Sequence, residues 1–532
     1  MTPELEATVP PVVERPIRAA EVVGALSLAT DLGTGQPLEH ALRTAVLAIR
    51  LGELAGASAA ELADTYYVAL LHASGCTSNG HEAIQVYDDD ISYRAAFFLI
   101  DTTNPAEVLG FYRATIGAGR PPALRAALID EAIANAGPRA RDSFATMCEV
   151  AQRFAGWLEL NSSIQAALEY VFARWDGRGF PDVRGDALPL PMRLLHVARD
   201  ISLFLTAAGP DEARAVVERR SGAAYDPRLA ELATRNFADL LAGLDEAQMW
   251  EQALESEPFP QIWIAGARVD AAFAAIAALT GLKSPWLREH STDVSELAEA
   301  AAWRLGLPAA SVTLVRRAAL AHDLGRVGVS NAIWEKPGPL GFGEWERVRL
   351  HPHFTERAFA QSPTLAPLGV LAGTHHERLD GSGYHRGTRG PALDQPARIL
   401  AAADCYSAMR ERRPYRPALD AAAAERELLR EAREGRLDAD AVDAVLNAGG
   451  HRLPPRARDL PAGLTERELE VLLVLVRGES NQAIAEGLGI SPRTVGHHVQ
   501  HVYQKVGVRT RAAATLWAFE HDLVRTPLVH SA

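Results

Sequence analysis

Residues 464–508 read LTERELEVLLVLVRGESNQAIAEGLGISPRTVGHHVQHVYQKVGV and divide into three short helical patterns separated by turns. Thr465, with Glu468 three residues later, is a capping box that starts the first helix, and Gly478 ends it. Ser491 caps the third helix and Pro492 occupies its first position, where a missing N–H costs nothing. Valines recur at helical spacing along this third helix, at Val495, Val499, Val502 and Val506. The pattern predicts a helix-turn-helix fold whose third helix has a polar outer face.

The same stretch resembles the LuxR family in LTEREL, NQAIAEGLGIS, PRTVGHHVQHVYQKVGV and the following Arg509-Thr510-Arg511. The resemblance implies that a domain at 460–526, the tail, binds double-stranded DNA for a transcription regulator, and that the chain forms a homodimer. It places three residues at the base edges of the major groove: Gly496, His497 and Gln500. It places five residues at phosphates: Arg493, Thr494, Lys505, Arg509 and Arg511.

A protein-interaction module is the alternative for the tail, because amphipathic three-helix units are common. A linker-like stretch with Pro454, Pro455 and Pro461 precedes the first helix of the tail. The basic residues lie on and after the third helix, whereas the acidic residues concentrate before it, and this distribution favours DNA. The glycine at 496 removes one base-reading side chain, so we expect modest sequence specificity.

The composition of the whole chain favours a helical protein of several domains. Its 532 residues suggest about three domains. Hydrophobic residues make up 48% and aromatic residues 7%, with alanine-rich stretches at 271–278 and 421–424, which predicts an all-α fold. The formal net charge of −13 excludes a protein that coats nucleic acid non-specifically, so any DNA contact must be local.

The cysteines and the lengths of the apolar runs indicate the cellular compartment in which the protein is expected. Cys76, Cys148 and Cys405 are widely spaced and odd in number, which suits neither a disulfide framework nor a C-x-x-C metal site. No apolar run reaches the roughly 18 residues of a bilayer span, and residues 1–12 lack the pattern of a signal peptide. We therefore expect a cytoplasmic protein without membrane contact.

Histidines and aspartates recur on helical segments between 283 and 451, at His322, Asp323, His351, His375, His376 and Asp404. A lone histidine is more often a core or surface residue, but clustering and the burial of Asp323 at the end of an apolar helix favour a metal. Imidazole and carboxylate ligands together suit iron, manganese or zinc. A carboxylate beside a histidine can bridge two ions about 4 Å apart, an arrangement that hydrolyses phosphoesters.

This segment resembles the HD-GYP family of metal-dependent phosphodiesterases in HDLGRVGV, KPGPL, GEWERVRLHP, THHERLDGSGYHRG, ARILAAADCYSAM and RRPYR. The resemblance implies a phosphohydrolase domain at 259–453, the second copy, with two divalent metal ions, iron or manganese. The six residues above would be the ligands, with Asp323 bridging and catalytic. Arg326 would assist catalysis, and a phosphoester or cyclic dinucleotide would contact His290 at the site's edge, Tyr384, Arg413 and Arg416.

Three departures from the family pattern change these expectations. Arg326 replaces a lysine and keeps its charge, but it cannot donate a proton near neutral pH. Gly383-Tyr384-His385 replaces Gly-Tyr-Pro, so the turn is expected to survive while substrate contacts, and cyclic di-GMP specificity with them, change. Trp286 replaces a glutamate that some members carry, so we expect two metals and no third.

The first half of the chain repeats the second half. Four pairs match: His40 with His290, His72 with His322, Asp176 with Asp380, and Asp200 with Asp404. The first two pairs are 250 residues apart and the last two 204, so the first copy, at 15–258, holds about 46 extra residues between Ser74 and Trp157. Ala73 replaces the bridging aspartate and Val171-Phe172 replace the histidine pair. We interpret this copy as catalytically dead and kept for packing, dimerisation, sensing or plain scaffolding.

The chain is therefore interpreted as two HD-type helical domains in tandem followed by a LuxR-type helix-turn-helix domain. The leading hypothesis is a cytoplasmic transcription regulator that hydrolyses a cyclic dinucleotide or another phosphoester. A non-catalytic, nucleotide-sensing DNA-binding regulator and a phosphohydrolase with a protein-binding tail remain open. The complete ligand set favours turnover, whereas the replaced lysine and proline favour sensing.

Overall fold

The computed structural model describes residues 15–452, 461–521 and 523, which form one compact unit up to Arg452 and another after it. The predicted all-α class is confirmed, because the described residues are mostly helical. The strands in these ranges form one antiparallel pair, Ile17–Arg18 (β1) with Trp263–Ile264 (β2). Residues 1–12 and the predicted linker prolines Pro454 and Pro455 lie outside the described residues.

The first copy begins with three long helices, continues through the predicted insertion and returns to the core in a long helix. Its α-helices are α1 (Ala19–Thr34), α2 (His40–Leu54), α3 (Ala59–Leu71), α4 (Gly80–Ala83), α5 (Asp90–Phe97), α6 (Pro105–Thr115), α7 (Pro122–Ala134), α8 (Ala136–Trp157), α9 (Ser162–Ala167), α10 (Leu190–Ala208), α11 (Pro210–Arg220), α12 (Pro227–Arg235), α13 (Phe237–Leu241) and α14 (Met249–Glu255).

The second copy has the same succession of long helices without the insertion. Its α-helices are α15 (Ala267–Leu282), α16 (His290–Arg304), α17 (Ala309–Ala321), α18 (Asn331–Trp334), α19 (Phe342–Arg349), α20 (His351–Ala360), α21 (Ala366–Ala372), α22 (Gln395–Arg410), α23 (Ala421–Arg433) and α24 (Ala439–Ala448). A 3₁₀ turn at Leu324–Gly328 joins α17 to α18.

The repeat seen in the sequence recurs in the helices. His40 and His290 are the first residues of α2 and α16, and His72 directly follows α3 as His322 follows α17. The two copies share one compact unit, so the boundary between 258 and 259 stays a prediction.

The copies contact each other through α1, α4 and α5 of the first copy. A Cβ at Gly33 of α1 would lie 3.0 Å from the Val327 carbonyl oxygen of the second copy, so the backbones approach closely there. The insertion helices α4 to α8 also build a small aromatic core of their own around Tyr93, Phe111 and Tyr112. The first copy therefore reaches the turn that follows His322 and Asp323.

The tail contains four described helices, α25 (Glu466–Val476), α26 (Asn481–Leu488), α27 (Pro492–Val506) and α28 (Arg511–Glu520). The predicted capping box is present, with Thr465 and Glu468 bonding each other's backbone N–H groups. Ser491 caps α27 through Thr494 N, as expected. The buried core includes Leu464, Val471, Leu472, Leu475, Ile484, Ala485, Val495, Val502 and Val506. Val499 is only partly buried, because it lies at the margin of that core.

Candidate metal centre and nucleic-acid interface

The predicted ligands of the second copy come from the ends of several helices. His322 and Asp323 follow the last residue of α17, and His351 is the first residue of α20. His375 and His376 lie just after α21, whereas Asp404 lies within α22. All of these side chains are buried except that of His376, which is partly exposed. Packing of the helices therefore brings residues distant in sequence to one point.

Backbone carbonyl groups hold three of the imidazoles in one orientation. Nδ1 of His322, His351 and His375 lies 2.6, 2.6 and 2.7 Å from the carbonyl oxygen three residues earlier. A carbonyl oxygen can only accept, so each Nδ1 carries the proton and donates it. Each Nε2 therefore directs a lone pair toward the centre, which is the tautomer that a metal ligand requires.

The two carboxylate oxygens of Asp323 face different histidines. Oδ1 lies 3.6 Å from His351 Nε2 and 3.7 Å from His375 Nε2. Oδ2 lies 3.4 Å from Nε2 of both His290 and His322. Asp323 therefore stands between two groups of nitrogens, as a bridging ligand would.

The described residues contain three groups whose donor atoms lie within 4.8 Å of one another: His351, His375 and His376; His290, His322 and Asp404; and His322, Asp323 and His375. All lie in the second copy, and they overlap through His322 and His375. The donor set consists of imidazole nitrogens and carboxylate oxygens, which suits a divalent transition metal.

Buried atoms without partners show that a cation fits this centre. His322 Nε2 is shielded from solvent and has no hydrogen-bond partner among the described residues, and its lone pair faces Asp323 Oδ2 at 3.4 Å. His351 Nε2 and His375 Nε2 face each other at 3.0 Å with both lone pairs inward. Such an arrangement would be costly without a shared positive charge.

Burial and charge set the protonation states of the centre. Burial lowers the pKa of His351 well below its usual value and that of His375 to about 4, so both imidazoles are neutral. Burial would raise the pKa of Asp323, but the nearby Arg326 and His322 outweigh it and hold that pKa well below the usual range. Neutral imidazoles beside an ionised carboxylate are the forms that bind metal.

His290 lies inside the cluster, which corrects the expectation that it stands at the site's edge. Its Nε2 is 3.2 Å from Asp404 Oδ1, and its Nδ1 is 2.8 Å from Glu411 Oε1. Burial lowers the pKa of His290, but the carboxylates of Asp404 and Glu411 outweigh burial and raise it to about 9. Because it is the first residue of α16, packing of that helix against α22 directs it inward.

Glu411 was missed by the sequence analysis. It accepts from Ser407 Oγ at 2.8 Å and orients His290, as the outer partner of a ligating histidine does. Asp404 and Ser407 share one face of α22, and Glu411 directly follows the last residue of that helix. The spacing of three and then four residues was a signal that could have found it.

Arg326 is held against Trp334, a second residue that the sequence analysis missed. The guanidinium carbon lies 4.6 Å from the centre of the indole ring, and Trp334 Nε1 donates to the Arg326 carbonyl oxygen at 3.3 Å. Arg326 Nε lies 2.8 Å from Asp323 Oδ1, so its charge reaches the centre. No sequence pattern indicated this stacking.

The turn that carries Tyr384 survives the loss of the family's proline. A Cβ at Gly383 would lie 2.4 Å from the His376 carbonyl oxygen, so only glycine permits the chain to return so closely. The Tyr384 ring lies 4.7 Å from that of His376. His385 lies beside His353, with ring centres 5.2 Å apart, and so contacts a residue outside the ligand set.

The two arginines predicted to bind substrate are occupied by internal contacts. Arg413 donates to the Trp286 carbonyl oxygen at 3.0 Å and pairs with Glu411 at 2.6 Å. Arg416 directs its guanidinium to backbone carbonyl oxygens at the end of α22, those of Ala408, Met409 and Glu411 among them. The guanidinium of Arg416 thus bonds at the end of α22, and the substrate contact of Arg416 stays a prediction.

Arginines occupy the corresponding centre of the first copy. Asp200 pairs with Arg199 at 3.0 Å and Arg220 at 2.7 Å, and it accepts from the Tyr225 hydroxyl. His72 keeps the bond from Nδ1 to the carbonyl oxygen three residues earlier, at 2.7 Å. The positive charge beside Asp200 therefore comes from side chains, which agrees with the interpretation of this copy as unable to bind a metal pair.

The outer face of α27 carries the residues predicted to contact DNA. Arg493, Thr494, His497 and Gln500 are exposed. A Cβ at Gly496 would meet nothing within 4 Å, so the backbone there is open to an approaching surface. These positions are accessible to a groove or a phosphate, and their DNA contacts stay predictions.

Two of the predicted phosphate ligands are engaged inside the tail. Lys505 Nζ lies 2.6 Å from Glu468 Oε2 and donates to the Gly463 carbonyl oxygen at 2.8 Å. Arg511 donates to the Glu479 carbonyl oxygen at 2.7 Å, and it thereby holds α28 to the turn after α25. Arg509 is exposed.

Comparisons with known proteins recover the same two parts. Residues 275–441 match the HD domain family, and residues 462–518 match bacterial regulatory proteins of the luxR family. Among the helices that the structure describes, none has the length and apolar character of a membrane span.

Similar proteins cover more than the HD match. The 3'3'-cGAMP-specific phosphodiesterase 3 of Vibrio cholerae is 29% identical over 405 residues, which are 75% of this chain and 88% of the relative. The cyclic di-GMP phosphodiesterase response regulator RpfG of Xanthomonas campestris is 36% identical over 158 residues, 29% of this chain and 41% of that one.

A solved structure agrees with these relatives. The crystal structure of the V. cholerae cyclic GMP-AMP specific phosphodiesterase V-cGAP3 aligns with a TM-score of 0.59 and 26% identity, over 82% of this chain and 99% of that one. The resemblances inferred from the sequence motifs are confirmed at the level of the domains. The chain therefore joins an HD domain, similar to that of cyclic dinucleotide phosphodiesterases, to a C-terminal helix-turn-helix domain of the bacterial luxR regulatory family.

Proposed function

We propose that this chain is a cytoplasmic transcription regulator whose second copy hydrolyses a cyclic dinucleotide and whose tail binds double-stranded DNA. The placement of Asp323 between two groups of histidines carries the enzymatic part of the proposal. The luxR-family tail carries the regulatory part.

The centre is proposed to hold two divalent ions, iron or manganese. Their ligands would be His322, Asp323, His351, His375, His376 and Asp404, together with His290. When bound, such ions polarise a phosphodiester and lower the pKa of water. The backbone carbonyl groups and Glu411 keep the imidazoles in the tautomer that this requires.

Arg326 is proposed to hold the negative charge of the phosphate. Its guanidinium is fixed by Trp334 and Asp323, so little rotational freedom is lost when a phosphate binds. It acts by charge alone, because it cannot release a proton near neutral pH. Tyr384, which lies over His376, is proposed to contact the nucleotide.

The relatives support 3'3'-cGAMP as the first substrate to test. The V. cholerae enzyme specific for that nucleotide is similar along 88% of its length, a span that must include both copies of this chain. Cyclic di-GMP is the second candidate, since relatives acting on it are similar over shorter segments.

Turnover by the purified full chain tests the enzymatic proposal. The protein is loaded anaerobically with Mn²⁺ or Fe²⁺ and given 3'3'-cGAMP or cyclic di-GMP, with the Asp323→Ala variant as control. We expect hydrolysis by the native chain and none by the variant. No hydrolysis with two equivalents of metal bound would favour the sensing alternative, and failure to bind metal would overturn the site assignment.

DNA binding is tested separately, with fragments selected from genomic DNA by the full chain. Gln500→Ala is expected to weaken binding to the selected sequence by about 1–3 kcal/mol and to leave binding to random DNA unchanged. Arg493→Ala should weaken binding to the selected sequence and binding to random DNA equally. Absence of any DNA binding would favour the protein-binding alternative for the tail. Light scattering of the bound complex tests the proposed homodimer, which a monomer on DNA would contradict.

A further inference from the structure

A buried ionic cluster joins the insertion of the first copy to the second copy. Asp90, the first residue of α5, is fully buried and pairs with Lys283 Nζ at 3.1 Å and Arg94 at 2.9 Å. Lys283 is itself fully buried and follows α15. A buried ion pair need not stabilise the fold, because the cost of removing both charges from water offsets their attraction. The position of this cluster therefore calls for another reason.

The other oxygen of Asp90 is bonded to the segment that follows the HD motif. Asp90 Oδ1 accepts from Ser330 Oγ at 2.8 Å and from the Asn331 backbone N–H at 2.7 Å. Asn331 Nδ2 donates to the Lys283 carbonyl oxygen at 2.7 Å. A carboxylate of the first copy thus holds the start of α18 in the second copy.

Helix α4 of the insertion contacts the same segment, residues 330–335, at its other end. His81 Nδ1 lies 2.5 Å from Glu335 Oε2, and Ser284 Oγ donates to Glu335 Oε1 at 2.7 Å. A Cβ at Gly80 would lie 2.8 Å from Asn331 Nδ2 and 3.1 Å from the Lys283 carbonyl oxygen, so the backbone of α4 lies close against the Asn331 side chain. Residues 330–335 are therefore fixed by the insertion on both sides of α18.

Helix α18 is a single turn that connects these contacts of the insertion to the candidate metal centre. Trp334 N donates to the Ser330 carbonyl oxygen at 3.3 Å, so the position of Ser330 sets that of Trp334. Trp334 in turn stacks on the Arg326 guanidinium and bonds to its carbonyl group. The contacts run without a break from Asp90 to Arg326.

We propose that Asp90 is a positioning residue for Arg326, so that the insertion of the catalytically dead copy completes the phosphate-binding site of the second copy. This role rests on the proposed phosphodiesterase function. It also assigns the insertion a task that neither packing nor scaffolding alone would require.

A charge-balanced pair of substitutions tests the proposal in the full chain. Asp90→Asn with Lys283→Met removes one negative and one positive charge together. The matched control is Glu257→Gln with Arg18→Met, since Glu257 is also buried in the first copy and bonds to an arginine, a hydroxyl group and a backbone N–H, but not to 324–335. Ser330→Ala, which removes only the 2.8 Å bond to Asp90 and a local cap, serves if the double variant does not fold.

Hydrogen exchange of the metal-free protein is the deciding readout, since it does not depend on turnover. We expect peptides covering 324–335 to exchange at least about tenfold faster in the Asp90 variant than in the native chain, and unchanged in the control. Equal protection in all three proteins would overturn the proposal, whether or not the chain hydrolyses any nucleotide.

Turnover gives the second readout. With 3'3'-cGAMP as the probe, kcat/KM is expected to fall about 10- to 100-fold in the Asp90 variant, as for a small misplacement of a catalytic group. The same substitutions made in an Arg326→Ala background should cause little further loss. An equal loss in both backgrounds would show that Asp90 acts on the enzyme by another route and would contradict the proposal. Lack of turnover by the native chain would count against the proposed function alone.

Discussion

The hydroxyl group of Thr355 links helix α20 to residues 322–325 beside the candidate metal centre, and its removal should weaken both the fold and metal binding. Thr355 is fully buried in α20. Its Oγ1 accepts from the Gly325 backbone N–H at 2.9 Å and donates to the His322 carbonyl oxygen at 2.8 Å. It therefore bonds to one residue before Asp323 in the chain, His322, and to one after it, Gly325. Thr355→Val keeps the shape of the side chain and removes both bonds.

The size of the effect follows from the burial of these groups. Leaving a buried N–H and a buried carbonyl oxygen against a methyl group costs about 1–3 kcal/mol. In a unit the size of residues 15–452, this corresponds to a fall in Tm of about 1–3 °C. Loosening of His322 and Asp323 should also weaken metal binding by about tenfold or more, as for other outer partners of metal ligands.

Thr313→Val is the matched control. Thr313 lies in α17, and its hydroxyl donates to the Ala309 carbonyl oxygen at 3.0 Å where solvent has access. We expect it to change stability by less than about 0.5 kcal/mol. Differential scanning calorimetry gives the Tm of the metal-free proteins, and competition with a chelator gives Mn²⁺ affinity. If Thr355→Val changed neither quantity more than Thr313→Val does, the reasoning from buried hydrogen bonds would be refuted.

Three further predictions follow from single contacts. Glu411→Gln should lower metal affinity about 10- to 100-fold, because it weakens the acceptor that orients His290, and chelator competition measures this. Gly325→Ala should destabilise the chain by about 1–3 kcal/mol or prevent folding, because its Cβ would lie 2.0 Å from a backbone oxygen; an unchanged Tm would contradict this. Burial alone would raise the pKa of Glu468, but hydrogen bonds from Lys505 and the capping box outweigh it and hold that pKa below its usual value of 4.5. Its contribution to the stability of the tail is therefore complete above pH 4.5 and lost as pH falls through the lower folded-state pKa, so the difference in stability from a Glu468→Gln variant should shrink in acid.

Local sequence patterns predicted several helices of the tail and the repeat of the two copies. The capping box at Thr465, the serine cap at Ser491 and the valine stripe of α27 involve residues a few positions apart, and the structure confirms those helices. The repeat offsets matched helix starts at His40 and His290. Capping and helical periodicity involve residues within one or two helical turns, so they can be recognised in the sequence before any tertiary contact is known.

Some side chains predicted to bind ligands have intramolecular partners that the local pattern did not indicate. Arg416 is predicted to contact the substrate, and its guanidinium bonds to backbone carbonyl oxygens at the end of α22. Lys505 also has an intramolecular partner, the buried Glu468. Neither partner could be assigned from the sequence, because an exposed charge and a paired charge look the same there.

The sequence by itself determined which residues could form a metal centre, since histidines and aspartates at the ends of apolar helices are a local and chemically specific pattern. Only the tertiary structure decided that His290 enters the cluster, that Trp334 stacks on Arg326, and that Asp90 holds α18 from 240 residues away. Contacts at such separations are chosen by how helix faces pack and by which buried charges can be paired, and that choice depends on the whole fold.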